Sequence, residues 1–476
     1  MTRAQRDPST GRAGWRNRSA VFLGKTLIGT TRLLKQGGTT LPGRAALMIS
    51  PELISFLSGQ LTAGAAVITG TNGKTTTASL LAAICKGGGR PCIHNAAGAN
   101  LAWGIASTLI EAATWQGQLP GESAILEVDE GAFPALSKSL RPHLAVITNI
   151  FRDQLDRFGG VEQVRAALQK GVSALPPEAL LLLNADDPLV ASLDGGARKT
   201  LCFGLDLPSY AAADLTPAEK SMPPCPRCCR ELQYTRIYFA HLGRYRCPYC
   251  GFHRPEPEYK LRHFEPNPET GSTMIMSLRG RPLEAVLPLP GIYNLYNALA
   301  AAAAAAAVAL PDSAIKDALG KAEPPSGRME HRQVASRELL IALIKNPAGA
   351  NQVLATLLDP AQVQGQRLHL LIAINDHPAD GADLSWLWET DFERLAAARA
   401  HIAAITLSGT GVSELARRLK KAGFAGAVIT AEAALPRALH RTVAQAAPGD
   451  KVIILPNYTA MQQVRQYLDR LSESSL

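Results

Sequence analysis

The sequence lacks an apolar run long enough to cross a membrane: the alanine tract at 298–310 has about 13 residues, where a membrane helix needs roughly 20. A secretory signal is also missing, because Lys25 interrupts the only early apolar run and no small-residue cleavage site follows it. Charged residues are few, at 19%, and hydrophobic residues reach 46%, a composition that excludes a disordered chain. We therefore expect a globular cytoplasmic protein, and the length of 476 residues predicts two or three domains.

Acidic residues are almost missing from the first 50 positions, where nine Lys or Arg face the single acid Asp7. This arm accounts for +8 of the formal net charge of +9. The basic character therefore belongs to residues 1–50 rather than to a nucleic-acid groove, and we expect no nucleic-acid partner. Apolar residues recur in the arm at roughly helical spacing, at 21–23, 27–28 and 33–34. They predict a helix that either docks on the body of the protein or touches anionic lipid at the inner face of the membrane.

The strongest motif is a glycine-rich turn between a predicted strand, Ala65–Ile68, and a predicted helix, Thr75–Cys85. This is the context of a phosphate-binding loop, and a turn without a ligand is the alternative. Small residues allow backbone N–H groups to approach nucleotide phosphates, a lysine adds positive charge, and a threonine hydroxyl can bind Mg²⁺. The residues predicted to bind the nucleotide are Gly70, Thr71, Asn72, Gly73, Lys74, Thr75 and Thr76.

Apolar runs alternate with helical patterns after the arm, as in an α/β fold with a doubly wound parallel sheet. From Asp206 to about Pro268 the composition shifts to Pro, Cys, Tyr and Arg, which predicts an inserted module at about 206–268. A Pro/Gly stretch at 324–327 predicts a hinge between a nucleotide-binding domain at 51–325 and a Rossmann-like α/β domain at 326–476. Further short strands are predicted at 124–128, 144–148, 339–343, 368–374, 402–407, 427–430 and 451–455.

Five of the eight cysteines fall within the inserted segment. Two C-x-x-C pairs, Cys225/Cys228 and Cys247/Cys250, are separated by eighteen residues, a spacing that can place four thiolates around one Zn²⁺. Such a closed site has no open position for water, so its role is structural. Cys229 can replace Cys228 in this set, and free thiols are the alternative. The segment has no dense basic patch interleaved with aromatic residues, so the cysteine pairs do not indicate nucleic-acid binding.

The loop sequence T-G-T-N-G-K-T-T resembles the ATP loop of the Mur ligase and folylpolyglutamate synthase superfamily. From about residue 60 onward, further segments resemble elements of that superfamily in the same order. They are Leu126–Glu130, Thr148–Asp156, Asn184–Pro188, Gly291–Asn297 and Gly327–Glu330. The resemblance implies a Mur ligase-type ATPase domain that activates a carboxylate as an acyl phosphate and couples it to an amine. It also implies that Thr75 and Glu127 bind Mg²⁺, and that Asn149, Asn294 and Arg328 contact ATP.

Three departures from the superfamily pattern change what it implies. Gln154 stands where many relatives have a metal-binding histidine, so a second Mg²⁺ site is not assigned. Lys170 is out of register with the carbamylated lysine of many Mur ligases, so that residue is not assigned either. The N-terminal UDP-binding domain of ligases that act on soluble precursors is not found, so the acceptor need not be recognised through a uridine.

A zinc ribbon inside the ATPase domain, together with the missing UDP-binding domain, is a feature of the MurT-type synthetase subunits of lipid II isoglutaminyl synthase. The stretch Asn375–Trp388 is similar to the N-D-x-x-A-D-G-x-D-x-S-W-x-W signature of that family. Lys345–Gly349 and Pro456–Met461 also resemble its segments. The sequence is therefore identified as a member of the MurT-type family.

This resemblance implies that ATP phosphorylates the α-carboxylate of D-glutamate in the stem peptide of lipid II, and that ammonia then displaces phosphate to leave D-isoglutamine. The chain has no G-x-C-x-G nucleophile elbow, which implies a separate GatD-type glutaminase as partner. In the family, an aspartate of the C-terminal domain orients the glutaminase histidine. Asp383 is our candidate for that role and Asp380 the second; with Glu127 they form the predicted catalytic set. Capping of the helix that follows is the structural alternative for either aspartate.

Two other functions share part of the pattern. A folylpolyglutamate synthase or another amino-acid-adding ligase would have the same ATP residues, but the cysteine pairs and the D-G-x-D-x-S-W segment argue against it. A nucleotide-dependent scaffold without enzyme activity would bind DNA or RNA through the zinc ribbon, and that binding would weaken with salt.

Overall fold

A computed structural model describes residues 12–33, 40–96, 98–152, 160–193, 195–208, 222–267, 271–324, 327–334, 337–359, 363–424 and 428–473. The predicted element Asp153–Asp156, which includes Gln154, lies outside these ranges, as do the hinge residues Pro325 and Ser326. No helix within the ranges combines the length and the apolar character that a membrane-spanning segment needs.

The first domain is built on a largely parallel sheet. Its described part contains β1 Gly64–Thr69, β2 Cys92–His94, β3 Ser123–Glu127, β4 Leu144–Ile147, β5 Leu180–Asn184, β6 Thr200–Leu205, β7 Gln233–Phe239, β8 Leu242–Arg246, β9 Tyr259–Asn267, β10 Gly271–Leu278 and β11 Arg281–Leu287. Apart from β7 and β8, these strands form one sheet in the order β11-β10-β9-β6-β5-β4-β1-β3-β2. Strand β1 lies between β3 and β4, parallel to both, and it is buried from Ala65 to Thr69. The phosphate-binding turn therefore follows a fully covered strand, as ligand sites do in parallel sheets.

Strands β9, β10 and β11 are an addition to the predicted layout, which has no strand between Asp206 and Gly291. Residues 203–205 of β6 pair in parallel with residues 259–261 of β9, so the chain rejoins the main sheet before the expected end of the insertion near Pro268. In β10, Met274 and Met276 are buried while Ile275 is exposed, which is the two-residue period of a sheet with one covered face. In the sequence, the Pro- and Cys-rich composition around β10 favours an inserted module, and the two-residue period alone does not predict the strand.

Helices cover both faces of the sheet. They are α1 Arg12–Leu33, α2 Leu41–Ile49, α3 Leu53–Ser58, α4 Lys74–Gly87, α5 Ala102–Ala112, α6 Phe133–Leu140, α7 Val161–Ser173, α8 Pro188–Ala191, α9 Ile292–Ala307 and α10 Asp312–Gly320. Helix α4 contains the predicted helix Thr75–Cys85. One apolar cluster joins α4 and the alanine-rich α9 to one face, and a second joins α5, α6 and α7 to the other. The sheet thus has a hydrophobic core on each side.

The basic arm, where it is described, is packed on the body of the first domain. Ala20 and Val21 of α1 are fully buried. Gly43 of α2 donates its N–H to Ser107 Oγ of α5 at 2.9 Å, and a Cβ on Gly43 would lie 1.9 Å from Trp103 O. Glycine therefore allows the close approach of α2 to α5. Helix α1 docks on the body, while contact of its outer side with lipid stays a prediction.

The inserted module between β6 and β9 contains a separate two-stranded sheet, β7 and β8, which pair antiparallel. Its small core consists of Cys225, Tyr245, Cys247 and Phe252. Tyr245 donates its hydroxyl to Ala185 O at 3.0 Å, and this bond ties the hairpin to the end of β5.

The second domain is built on a sheet whose described strands follow the order β12-β13-β17-β14-β15-β16. The strands are β12 Arg328–Val334, β13 Arg337–Ala342, β14 Leu368–Ala373, β15 Ile402–Ser408, β16 Ile429–Ala431 and β17 Lys451–Pro456. The helices are α11 Pro347–Leu357, α12 Trp386–Glu389, α13 Glu393–Ala397, α14 Val412–Lys421, α15 Leu435–Gln445 and α16 Tyr458–Glu473. All pairs except β12 with β13 are parallel. Because β17 returns between β13 and β14, the loop after β14 and the start of α16 lie side by side at the carboxyl edge.

Candidate active site and cysteine cluster

The predicted phosphate loop connects β1 to α4 at the carboxyl edge of the first sheet. Gly70 and Gly73 have φ angles of 121° and 86°, in the region that favours glycine. A Cβ on Gly73 would lie 2.1 Å from Asn297 Oδ1, and one on Gly70 would lie 2.4 Å from Thr148 Oγ1. The loop therefore requires glycine at both positions. The first N–H groups of α4, which have no acceptor within the helix, lie beside it as potential phosphate donors.

Residues that follow β4 fix the shape of this loop. Asn72 donates its N–H to Asn149 Oδ1 at 2.8 Å, and Asn149 Nδ2 donates to Asn72 O at 3.0 Å. Thr148 Oγ1 donates to the same carbonyl oxygen at 2.8 Å. Two residues after Asn149, Phe151 donates its N–H to Thr71 Oγ1 at 3.0 Å. Asn149, predicted to contact ATP, is thus placed at the loop and supports its backbone.

Lys74 is buried within the curve of the loop. Its Nζ donates to Gly70 O at 2.6 Å and to Thr71 O at 3.1 Å, and it pairs with Glu130 Oε2 at 3.2 Å. Although burial opposes ionisation, the positive charges of Lys74 and Lys345 lower the pKa of Glu130 below its usual range. The lysine side chain is therefore oriented by two carbonyl groups and paired with a carboxylate at the place where phosphates would bind.

Two oxygen ligands meet beside the loop. Thr75 Oγ1 donates to Glu127 Oε2 at 2.6 Å, and Asn100 Nδ2 donates to Glu127 Oε1 at 3.1 Å. Glu127 is the last residue of β3 and is buried. Mg²⁺ in phosphoryl-transfer sites binds one or two protein oxygens together with phosphate oxygens and water. The predicted pair Thr75 and Glu127 therefore fits a magnesium ion by its chemistry and by the proximity of its oxygens.

Helix α9 brings two buried asparagines to the same loop. Asn297 Oδ1 lies against Gly73, and Asn297 Nδ2 donates to Asn294 Oδ1 at 3.2 Å. Asn294, predicted to face adenine, donates its Nδ2 to Pro290 O at 2.8 Å. In the structure this side chain closes the turn before α9, and its contact with adenine stays a prediction.

The second domain contributes groups to the same place. Asn346 Nδ2 donates to Asn72 Oδ1 at 3.0 Å, and Asn346 Oδ1 accepts from Gly349 N at 2.8 Å, so this residue both caps α11 and touches the phosphate loop. Arg328, at the start of β12, interacts electrostatically with Glu127. An ion pair of 2.7 Å between Arg152 and Glu389 also joins the two domains. The site is therefore a cleft with positive charge on its second wall.

Three site residues were not among those predicted: Asn100, Glu130 and Asn346. Asn346 has a local signal, because an asparagine before a proline is typical of a helix start, and α11 begins there. Glu130 lies in the segment Leu126–Glu130 that resembles the superfamily, but its contact with Lys74, like that of Asn100 with Glu127, joins segments that only the fold brings together.

The two candidate aspartates after β14 have different surroundings. Asp380 is buried; its Oδ1 accepts from Thr459 N at 2.8 Å and its Oδ2 from Thr459 Oγ1, so it holds the first turn of α16. Burial raises its pKa above the usual range. Asp383 is half-exposed, and its two oxygens accept from the N–H and the hydroxyl of Ser385, both at 2.8 Å. Asp380 therefore binds the start of a helix that is distant in sequence, whereas Asp383 makes the local contact, to Ser385 just before α12, and keeps an accessible face.

The four predicted cysteine ligands lie together. The Sγ atoms of Cys225 and Cys250 are 3.6 Å apart, those of Cys228 and Cys247 are 3.5 Å apart, and all four lie within 4.8 Å of one another. Four sulfur atoms at about 2.3 Å from a tetrahedral zinc ion would be separated by about 3.8 Å, so the cluster fits this metal. Cys229 is exposed, with φ of 58°, and lies outside the cluster, so the geometry favours Cys228 over Cys229 as the predicted ligand.

A buried turn after β5 connects this module to the phosphate loop. Asp186 Oδ1 pairs with Arg254 Nε at 2.5 Å, and both residues are buried. Asp187 Oδ1 lies 3.4 Å from His241 Nε2, and the His241 ring packs against Phe151 with centroids 4.8 Å apart. Since Phe151 also contacts the phosphate loop, the module lies one side chain away from it.

Family models match two parts of the chain: a Mur ligase middle domain at 68–222 and a MurT ligase C-terminal domain at 343–461. The MurT subunit of lipid II isoglutaminyl synthase (glutamine-hydrolyzing) from Staphylococcus aureus strain COL is 32% identical over 460 residues, which cover 96% of this chain and 98% of that one. The chain belongs to the MurT family. A second MurT subunit, from Streptococcus pneumoniae strain R6, is 33% identical over 437 residues, which cover 90% of this chain and 92% of that one. A solved pseudomurein peptide ligase type C from Methanothermus fervidus superposes with a TM-score of 0.61 at 25% identity, covering 86% of this chain and 79% of that one.

Membership of the MurT family makes the chain a ligase with a mixed α/β Mur ligase fold. Mur ligases use ATP and Mg²⁺, and this MurT family member has a glycine-rich loop, a buried lysine, and two side-chain oxygens, Thr75 Oγ1 and Glu127 Oε2, that are 2.6 Å apart. The four cysteines lie in the segment of the chain that connects β6 and β9, two neighbouring strands of the same domain.

Proposed function

We propose that this chain is the synthetase subunit of an enzyme that amidates the D-glutamate α-carboxylate of lipid II to D-isoglutamine, with ATP and with ammonia from a GatD-type glutaminase, in peptidoglycan synthesis. The observation that carries the proposal is the similarity of almost the whole chain to MurT subunits of lipid II isoglutaminyl synthase. The cleft around Lys74 supports the ATP step, and the half-exposed Asp383 supports contact with a glutaminase.

In the first step, the β- and γ-phosphates of ATP bind to the N–H groups of the phosphate loop and to Lys74. Mg²⁺ held by Thr75 and Glu127 would offset the phosphate charge. Arg328 and Lys345 add positive charge from the second domain, near Glu127 and Glu130. The γ-phosphoryl group moves from ATP to one carboxylate oxygen of D-glutamate, so that ADP and an acyl phosphate are formed.

In the second step, the nitrogen of ammonia attacks the acyl carbon and the bond between that carbon and the phosphate oxygen breaks, which leaves the amide and inorganic phosphate. Free ammonia is scarce at neutral pH, so a glutaminase must deliver it. Asp383 accepts two hydrogen bonds from Ser385, and a carboxylate has further lone pairs that can accept from a histidine N–H of a partner. We assign the orienting role to Asp383 rather than to Asp380, whose oxygens hold α16.

We also propose that Zn²⁺ binds Cys225, Cys228, Cys247 and Cys250 and has a structural role. The separations of the sulfur atoms support this ligand set, and no ligand position is left for water. Among the described residues, the module's own core is small and includes Cys225 and Cys247, so the metal would contribute to its folding free energy.

The proposal is tested with the purified chain, with and without a GatD-type glutaminase, by mass spectrometry of lipid II after incubation with ATP and either glutamine or ammonium chloride. Replacement of OH by NH₂ lowers the mass by about one unit. Glutamine-dependent amidation is expected only with both subunits. Lys74→Ala is expected to abolish amidation from either nitrogen source, because it removes the cation of the phosphate loop.

Asp383→Asn is expected to abolish amidation from glutamine and to leave amidation from ammonium, since it affects only the partner's histidine. Asp376→Asn is the matched control, because Asp376 lies exposed in the same loop. Loss of both activities in Asp383→Asn, or equal loss in Asp376→Asn, would contradict the assigned role of Asp383. A product that has gained an amino acid would show that the chain is a conventional amino-acid-adding ligase.

A further inference from the structure

Apolar side chains are exposed on the outer side of α1 and α2 and at the two ends of α5. Among the described residues, six of the eleven large hydrophobic side chains that are exposed lie there, and Trp15 and Met48 are 71% and 79% exposed. Soluble proteins rarely expose a contiguous group of this kind unless it binds something. We refer to the six residues as the N-terminal patch: Trp15, Phe22, Leu41, Met48, Trp103 and Trp115.

The helices that carry the patch lie side by side. Arg16 Nη2 donates to Ile49 O at 2.9 Å, and Ser50 Oγ donates to Asn17 Oδ1 at 2.5 Å, so the start of α1 lies against the end of α2. Both helices also pack on α5. Exposed residues of α1, among them Trp15, Arg18, Phe22 and Thr26, recur at intervals of three and four residues and so lie along one side of the helix. The residues of the patch are therefore carried by one group of packed helices.

Cations accompany the aromatic rings of the patch. Lys25 Nζ lies 5.8 Å from the centre of the Trp115 ring, and the Arg44 guanidinium lies 5.4 Å from that of Trp103. Phe22 packs against Trp115 with ring centroids 5.5 Å apart. Tryptophan, with its apolar ring and polar N–H, is enriched at the level of lipid headgroups, and nearby cations there pair with phosphates.

The charge of this face is strongly one-sided. Helix α1 contains five Lys or Arg and helix α2 contains one, and neither helix contains Asp or Glu. The first 50 residues supply +8 of the net charge of +9. An anionic surface complements such a face.

We propose that the N-terminal patch docks on the surface of an anionic phospholipid bilayer, with the rings at the boundary between headgroups and acyl chains and the Lys and Arg side chains against lipid phosphates. This proposal rests on the proposed function in one respect: a lipid-linked substrate is the reason for the chain to bind a membrane. Membrane binding itself requires no substrate, so an experiment can contradict membrane binding without contradicting the proposed function. A protein partner on the patch is the competing occupant.

The first experiment measures co-sedimentation of the full chain with vesicles of phosphatidylcholine and phosphatidylglycerol that contain no lipid II. Arg18→Glu combined with Arg44→Glu is expected to weaken binding by roughly 25-fold or more, because each lost cation contributes about fivefold near an anionic surface. Arg437→Glu combined with Arg441→Glu is the matched control. Both residues are exposed on α15, and the change in net charge is identical. Equal weakening by the two variants would mean that net charge alone drives binding, and it would overturn the proposal.

The second experiment follows tryptophan fluorescence with vesicles of brominated phosphatidylglycerol, which quench only indoles that reach the acyl boundary. Variants that retain Trp103 or Trp115 alone are expected to be quenched, whereas a variant that retains only Trp388, 38% exposed in the second domain, is not. Undiminished ATP binding in each variant shows that the fold is retained. Absence of quenching at Trp103 and Trp115, or equal quenching at Trp388, would exclude docking through the patch and favour a protein occupant.

Discussion

Replacement of Arg254 by methionine is expected to lower the free energy of unfolding by about 3–5 kcal/mol, because it leaves a buried carboxylate without its charged partner. Arg254 Nε pairs with Asp186 Oδ1 at 2.5 Å, and Arg254 Nη2 donates to Leu205 O at 2.8 Å. Asp186 Oδ2 still accepts from Leu205 N at 2.7 Å and from Tyr296 OH at 2.8 Å, but neither donor carries a charge. Methionine keeps the apolar stem, so the loss reports on charge and hydrogen bonding more than on packing.

The effect of this substitution depends on pH in a direction that can be worked out. Burial raises the pKa of Asp186 above its ordinary value of 3.8, and the charge of Arg254 opposes that rise. Without Arg254 the pKa of the folded state rises further. Below pH 3.8 the carboxyl is protonated in both the folded and the unfolded state, so it costs nothing. As pH rises through the interval between the folded pKa of the parent and the higher folded pKa of the variant, the carboxyl ionises in the folded parent but not in the folded variant, so the variant loses stability relative to the parent.

The assay is urea unfolding of both proteins at pH 5 and at pH 8. The deficit of Arg254→Met is expected to be larger at pH 8, and Asp186→Asn combined with Arg254→Met is expected to recover part of it. Arg262→Met is the control, because Arg262 is half-exposed and pairs with Asp206 at 2.6 Å, so its loss costs no more than about 1 kcal/mol. A deficit below about 1 kcal/mol for Arg254→Met, or the same deficit at both pH values, would refute the reasoning.

Three further predictions concern the cluster and the cleft. Cys228→Ser is expected to reduce the zinc content of the purified chain, measured by mass spectrometry of the metal, while Cys229→Ser leaves it unchanged, because only Cys228 lies in the cluster. Asn346→Ala is expected to weaken ATP binding roughly two- to tenfold in calorimetry, the value of one hydrogen bond between the domains, and unaltered affinity would remove Asn346 from the site. Gly73→Ala is expected to abolish measurable ATP binding with the helical content unchanged in circular dichroism, since its φ is 86° and its Cβ would lie 2.1 Å from Asn297 Oδ1; near-normal binding would mean that the loop tolerates a Cβ.

Local sequence patterns were sufficient to predict much of the first domain and its phosphate loop. The turn from Gly70 to Thr75 has its glycines where φ is positive, and the strand and helix around it are found within one or two residues of their predicted bounds. The cysteine pairs also carry their own signal, because two C-x-x-C turns can form one cluster whatever the fold around them. Such features depend on residues that are close in sequence.

Contacts between segments that are distant in sequence explain the site features that the sequence did not predict. Glu130 becomes the partner of Lys74, and Asn100 that of Glu127, only because β1 and β3 are neighbours in the sheet. The difference in surroundings between Asp380 and Asp383 likewise depends on α16, because Thr459 of that helix binds the Asp380 carboxylate and not that of Asp383. No periodicity in the sequence reports such encounters, since the free energy that selects them comes from packing of the whole domain.

The position of the cysteine module also sets an order of events during synthesis of the chain. Strands β6 and β9 are neighbours and parallel, so they can pair only after the whole connection between them has been made. Among the described residues, that connection has a small core of its own, which contains two of the proposed zinc ligands, and its hairpin also packs on the main core through Tyr238, Phe239 and Leu242. With zinc as the proposed ligand, uptake of the ion by the nascent chain would favour the pairing of β9 with β6. Zinc-starved cells would then accumulate chains whose sheet ends at β6, with an open strand edge that promotes aggregation.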